Sequence, residues 1–242
     1  MTSHASSPVR FRFLILAVET ATPYGSVALV SEGSVLSESL LPRGRQASAT
    51  ILSALHDLLR GSGCGPGEVT HVAVSAGPGS FTGLRVGMAA AKGLCFGWGV
   101  PIVPVPTLHA LAMRFRVEGV TICPVLDARK KEVYAALFRR EGEECERLSP
   151  DVAIPPDVLP GILPEGRVFF CGDGTAPFGA LFRERLGDRA AFAPEGEGLP
   201  SASTVGLFAA RLARQGTATD IRSLVPSYLR RSEAERSAPW RK

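Results

Sequence analysis

A short β-branched run at residues 71–75 enters Gly77-Pro78-Gly79 and leaves as a stretch that keeps helical character from Ser80 to about Trp98. Few backbones satisfy that order. The glycines permit a tight reversal, Pro78 cannot continue a ladder of strand hydrogen bonds, and Ser80 is a good N-cap. The segment reads as strand, turn, helix. A strand that feeds a helix in this way belongs to a sheet covered by helices.

The flanks agree. Residues 13–18 form an apolar run ending in Glu19, residues 26–30 a second and residues 35–41 a third, with turn formers up to Gly25 between the first two. Three short runs of this kind predict a β-meander. The period then changes: Ile51, Leu52, Leu55, Leu58 and Leu59 recur at helical spacing, and the helix ends near 61–67. Beyond the central segment, 102–105 predicts a strand and 107–116 a helix. Residues 122–126 end in Asp127, a polar turn follows at 128–132, and 133–138 predicts another strand. Strand, acid, turn, strand is thus written twice, at Glu19 and at Asp127, which hints at duplication. Residues 155–164 are proline-rich and predict a loop or broken helix. Residues 168–171 predict a strand before Gly172-Asp173-Gly174, and 175–186 and 204–215 predict helices. The fold class is α/β, with mixed sheets flanked by helices.

Composition narrows the setting. Five cysteines, with no Cys-x-x-Cys spacing, argue against a disulfide framework or a zinc site and fit reduced cytoplasmic thiols. The first twelve residues lack the apolar core of a signal peptide, and no apolar run spans a bilayer. The net charge is +4, part of it from Arg230, Arg231, Arg236, Arg241 and Lys242. Such a tail either attracts nucleic acid or is a solvated end. It carries one aromatic, Trp240, which is poor support for a base-stacking platform.

The turn at Gly77, Gly79, Ser80 and Gly83 has two readings. The free amides and dipole of the helix that follows would favour an anion; equally, the turn binds nothing. No Gly-x-x-x-x-Gly-Lys phosphate loop occurs. Arg85 either pairs with a carboxylate, Glu19 being one candidate, or faces solvent. The helix carries small residues at Gly83, Gly87 and Ala91, and a second set at Ala89, Gly93 and Gly97, each spaced by four on one face. One set can pack on the sheet and the other on a partner helix. His4, His56, His71 and His109 are scattered, and no Gly-x-Ser-x-Gly elbow supports a serine hydrolase.

Residues 16–22, 77–87, 100–108 and 126–134, with the closing Pro226-Ser227-Tyr228-Leu229-Arg230, resemble the TsaB (YeaZ) family over about residues 13–231. The resemblance implies a two-lobed fold like that of actin and sugar kinases, here with lobes at 13–108 and 109–231, an N-terminal extension at 1–12 without fixed structure, and a basic tail at 232–242. A C-terminal helix can pack back on the first lobe. It implies a role in forming threonylcarbamoyladenosine beside the anticodon of tRNAs. The chain would pair with a TsaD-like catalytic subunit, be joined by a TsaE-like ATPase, and form a homodimer when alone. Contact with tRNA would be indirect or weak.

The catalytic relative also carries a Gly-Pro-Gly turn and a first strand ending in Glu-Thr, so metal ligands must distinguish the two. Its two histidines correspond to Thr107 and Leu111 here, and neither side chain replaces an imidazole. His109 between them is one histidine, not a metal site. No catalytic residue, metal ligand or cofactor is therefore assigned. The loop facing any nucleotide or anion comprises Gly77, Gly79, Ser80 and Gly83, with Glu19. The partner surface is expected at Ile51, Leu55, Leu58, Gly83, Gly87 and Ala91, through a four-helix packing that the resemblance implies. The competing reading is an actin-fold small-molecule kinase or protease-like enzyme acting alone. The first hairpin turn lacks the Gly-rich Asp-x-Gly pattern of such kinases.

Overall fold

The computed structural model describes residues 11–42, 46–216 and 219–230, with 46–49 described by backbone alone. Residues 1–10 of the expected extension and the whole tail at 232–242 lie outside the described residues.

The first sheet opens with an antiparallel meander, β1 (Leu14–Glu19), β2 (Ser26–Ser31) and β3 (Ser34–Leu40). Helix α1 (Gln46–Gly61) then leads to β4 (His71–Gly77), parallel to β1, and α2 (Phe81–Trp98) leads to β5 (Ile102–Pro106), parallel to β4. The strand order is β3-β2-β1-β4-β5. Successive side chains point to opposite faces, and the central strands are apolar on both, as a sheet covered on both sides requires. Leu14, Leu16, Val18, Val27, Leu29, Val72 and Val74 form one buried cluster with Ile51, Leu55, Leu58, Met88 and Ala91 of α1 and α2.

Helix α3 (Thr107–Met113) carries the chain to a second sheet. Its strands are β6 (Thr121–Arg129), β7 (Glu132–Ala135), the hairpin β8 (Phe138–Glu141) and β9 (Glu144–Arg147), then β10 (Val152–Ile154). The short α4 (Leu159–Ile162) precedes β11 (Val168–Cys171), and α5 (Thr175–Leu186) precedes β12 (Ala190–Phe192). The order is β10-β7-β6-β11-β12, with β8 and β9 added beside β6. Pair by pair it repeats the first sheet: two antiparallel pairings, then two parallel ones. Glu19 and Asp127 stand at equivalent places, where the first strand of each sheet gives way to its hairpin turn.

The last helix, α6 (Ala202–Arg214), returns to the first sheet. It covers the face built by Ile15, Ala17, Ala28, Ala73, Val103 and Val105, using Ala202, Val205, Phe208 and Ala209. Small residues on both sides bring backbone close to backbone: a side chain on Gly206 would collide with Val30 and Ala17. Ser201 caps the helix by accepting from Thr204 N, and Ala202 N donates to Ser26 Oγ at 2.8 Å.

Two expectations need correction. Residues 133–138 are not one strand; the run breaks after Ala135, and Phe138 starts a separate hairpin. Residues 155–164 do contain a helical turn, but only over Leu159–Ile162. Among the described residues no helix is long and apolar enough to cross a membrane.

Candidate functional site: the cleft between the sheets and the outer face of α2

A cleft of about 550 Å³ opens where the C-terminal ends of β1, β4 and β6 converge. Its walls are the turn after β1 (Ala21, Thr22), the start of α2 (Gly79, Ser80, Phe81, Thr82), the end of β6 and its turn (Asp127, Arg129, Lys130), Asp173, and a terminal segment from Ser227 to Arg230.

The glycine turn is shaped by the chain's own backbone. A side chain on Gly79 would come within 2.5 Å of Ala21 O, one on Gly77 within 2.6 Å of Ser227 O, and one on Gly83 would collide with Thr20 O. Ser80 N donates to Ala21 O at 2.7 Å, and Thr20 Oγ1 donates to Gly83 O at 2.8 Å. The close approach that these glycines permit is therefore spent on segment 20–22 and on Ser227, while Gly79 lines the cleft beside Ser80. Ser80 alone of that set is exposed at the cleft. Its hydroxyl accepts from Gly83 N and caps α2.

Glu19 does not face the cleft. It is fully buried; its Oε1 accepts from Ala21 N at 2.5 Å and its other oxygen accepts from the Ser75 hydroxyl. Burial pushes its pKa up to about 7, against the two hydrogen bonds, which hold it down. Ser75 is equally buried, so this hydroxyl–carboxylate pair is sealed from any substrate. In the second lobe the acids line the cleft. Asp127 accepts from Arg129 N at 2.8 Å and pairs with the Arg129 side chain at 3.3 Å. Asp173 Oδ1 accepts from Asp127 N at 3.0 Å, and burial raises its pKa. Arg129, Lys130 and Lys131 all adopt left-handed backbone conformations, which cost non-glycine residues energy, and Arg129 and Lys130 line the cleft.

Arg85 pairs with neither Glu19 nor any other acid among the described residues. Its guanidinium lies 3.8 Å from the centre of the Phe81 ring and donates from Nε to Tyr228 Oη at 3.0 Å. His109 is a core residue: Nε2 lies 2.8 Å from Cys145 O, the ring sits between Phe138 and Phe208, and burial lowers its pKa. Thr107 and Leu111 are each 1% exposed. Among the described residues no group of three or more His, Cys, Asp or Glu is placed to hold a metal.

The expected partner surface is also corrected. Ile51, Leu55, Leu58, Gly87 and Ala91 are all buried in the chain's own core, and Gly83 and Gly87 both abut Thr20. The face of α2 that turns outward carries the other set, Ala89, Gly93 and Gly97, together with Phe96, which is 87% exposed. Nothing stands within 4 Å of where a side chain on Gly93 or Gly97 would begin. Leu52 of α1 is 58% exposed. Spacing identified two small faces; only the position of Thr20, distant in sequence, decides which is internal. Asp173, Tyr228 and Arg230 were not singled out as site residues. The signal for Asp173 was the Gly172-Asp173-Gly174 turn, which follows β11 as Gly77-Pro78-Gly79 follows β4.

Two sheets of matching order, a cleft between them and a helix cap at its wall define a two-lobed protein of the actin-like class. Comparison with known proteins fixes the branch. The family model for TsaD, tRNA N6-adenosine threonylcarbamoyltransferase, matches residues 40–238. The TsaB protein of Bacillus subtilis is 31% identical over 93% of this chain and 97% of its own length. TsaB of Escherichia coli is 38% identical over 57% of this chain and 63% of its own. The solved structure of YeaZ from Pseudomonas aeruginosa superposes with a TM-score of 0.77 at 27% identity, covering 90% of this chain and all of that one. The chain belongs to the TsaB (YeaZ) family, whose relatives in B. subtilis and E. coli are named tRNA threonylcarbamoyladenosine biosynthesis proteins.

Proposed function

We propose that this chain is a non-catalytic subunit in the formation of threonylcarbamoyladenosine on tRNA, acting by pairing with a TsaD-like catalytic subunit in the cytoplasm. Its lobes are 13–108 and 109–231, with α6 returning to the first. The observation that carries the reading is the outward face of α2. Phe96 stands exposed between glycines whose outer sides are open, and Leu52 of α1 is exposed as well. Glycines weaken a helix, and these two pack against nothing among the described residues, whereas small residues let a second helix approach closely. A TsaD-like chain presenting two helices would complete a four-helix packing there. Alone, the chain would cover the same face with a second copy, and a TsaE-like ATPase would join the completed assembly.

Catalysis by the chain itself is disfavoured by Thr107 and Leu111, which stand where the resemblance implies metal-binding histidines and are sealed in the core. The test is co-purification with the TsaD-like protein of the same organism, followed by a tRNA modification assay with and without this chain. The expected result is a stable complex, modification that depends on both chains, and none from this chain alone. Modification by this chain unaided would overturn the proposal.

A further inference from the structure

The segment after α6 has no counterpart in the repeated topology. Thr219 bridges to Ile102 at the edge of the first sheet, and Leu224 is buried in its core. The backbone then crosses the mouth of the cleft. Ser227 N donates to Ala76 O at 2.7 Å. Tyr228 packs on Phe81 with ring centres 4.7 Å apart, and its hydroxyl accepts from Arg85. Two residues later the chain has reached the second lobe: Arg230 Nη1 donates to Ala128 O at 3.1 Å and pairs with Glu132 at 2.8 Å. One short segment is thus fastened to the first turns of α2 and to the β6–β7 turn.

The lobes are also joined elsewhere: by the 198–202 connection, where Gly198 O accepts from Gly172 N and Ala202 N donates to Ser26 Oγ, and at the other end of β6. There Arg211 of α6 pairs with Glu144 of the β8–β9 hairpin, which is attached at Thr121 and Ile122. Six residues of strand separate Ile122 from Ala128, a distance of roughly 20 Å. The Arg211 contact sits at the end of β6 away from the cleft, and residues 227–230 sit at the cleft mouth.

We infer that residues 227–230 are a latch that fixes the opening of the cleft and couples the β6–β7 turn to the first turns of α2. The outer face of α2 is the partner surface only on the function proposed above. On that reading the latch gives the cleft a route to the partner; the latch itself stands on contacts within this chain.

Hydrogen exchange on the full chain, read residue by residue, tests it. Glu132→Gln alters only the second lobe, and Tyr228→Ala removes only the grip on Phe81 and Arg85. A part-buried ion pair of this kind supports about a fivefold change. Glu132→Gln is expected to speed exchange about fivefold at Leu84 and Arg85, across the cleft. Tyr228→Ala is expected to do the same at Asp127 and Arg129, with β1 and β4 unchanged in both. Changes confined to the substituted side in both variants would overturn the latch. So would a uniform rise with no excess at the opposite wall. Because exchange is read without a partner, it stays separate from any failure of partner binding.

Discussion

Helices α2 and α5 occupy equivalent places in the two lobes, each following a parallel strand and a glycine-flanked turn, yet their outer faces differ. On α5 that face carries Arg183, Glu184 and Arg185, all exposed to water. On α2 the exposed positions beyond Arg85 are Ala89, Gly93, Phe96 and Gly97. The inner faces solve one shared problem. Gly83 and Gly87 let α2 sit against Thr20, and Gly172 and Gly174 let the start of α5 sit against Val125. The inner glycines follow from the fold, since both lobes have them. The bare outer face of α2 does not, since α5 manages without one, so it is the part of the first lobe that calls for a functional explanation.

The largest expected effect is on the inner side. Gly83→Val would drive a branched side chain into the carbonyl of Thr20 and should cost about 3 kcal/mol or more of stability, read by denaturant unfolding. Gly93→Leu on the outer side should cost nothing and raise stability by about 0.5–1 kcal/mol, leucine being the better helix former. Equal losses from the two would end the distinction between faces. Next comes partner binding. Phe96→Glu should weaken the complex with the TsaD-like chain about tenfold to a hundredfold while leaving thermal melting intact, and Glu184→Lys on α5 should leave affinity unchanged. Both are measured by calorimetric titration.

The hairpin acids extend the comparison to pH. Glu19 is sealed and its pKa is raised to about 7, so the folded chain retains a proton that the unfolded chain releases nearer its ordinary value of 4.5. Glu19 therefore favours folding on the acid side, and that contribution is lost as pH rises through 7. Glu19→Gln keeps a hydrogen-bonding group for Ser75 and Ala21 without the ionisation. It should remove a decline in stability of about 1–3 kcal/mol between pH 5 and pH 8, read from urea midpoints across that range. The smallest effect is at the β6–β7 turn: Lys131→Gly should raise stability by about 0.5–1 kcal/mol, because glycine adopts the left-handed conformation without the penalty that lysine meets.

Much of the first lobe was legible in the sequence because its elements are locally consistent. The three meander strands, the helix at Ile51–Leu59 and the strand–turn–helix unit all fall within a residue or a few of their expected places. The second lobe was harder. Arg140 is buried in β8, where its guanidinium donates to Gly142 O and Met113 O, so the alternation that marks a strand is disguised by a charge on the inward side. β12 is three residues long and gains its identity only by pairing with β11. The site was legible in part for a related reason. Glu19, Gly79 and Ser80 were visible as special, but their partners are Ser75, Ala21 and Gly83, and none of these contacts has a periodic signature. The choice between the two small faces of α2 likewise depends on Thr20, more than sixty residues earlier (2.8 Å to Gly83 O).

The return of α6 to the first sheet has a consequence for how the chain is made. Strands β1, β2, β4 and β5 are complete once Pro106 has been synthesised, but the helix that covers one face of their sheet ends at Arg214. Throughout translation of the entire second sheet, the nascent first sheet shows Ile15, Ala17, Ala28 and Val103 without that cover. Vectorial folding, in which one lobe finishes before the next begins, is not open to this topology. The first lobe must wait on the ribosome, partly built and in need of shielding, until the second has emerged.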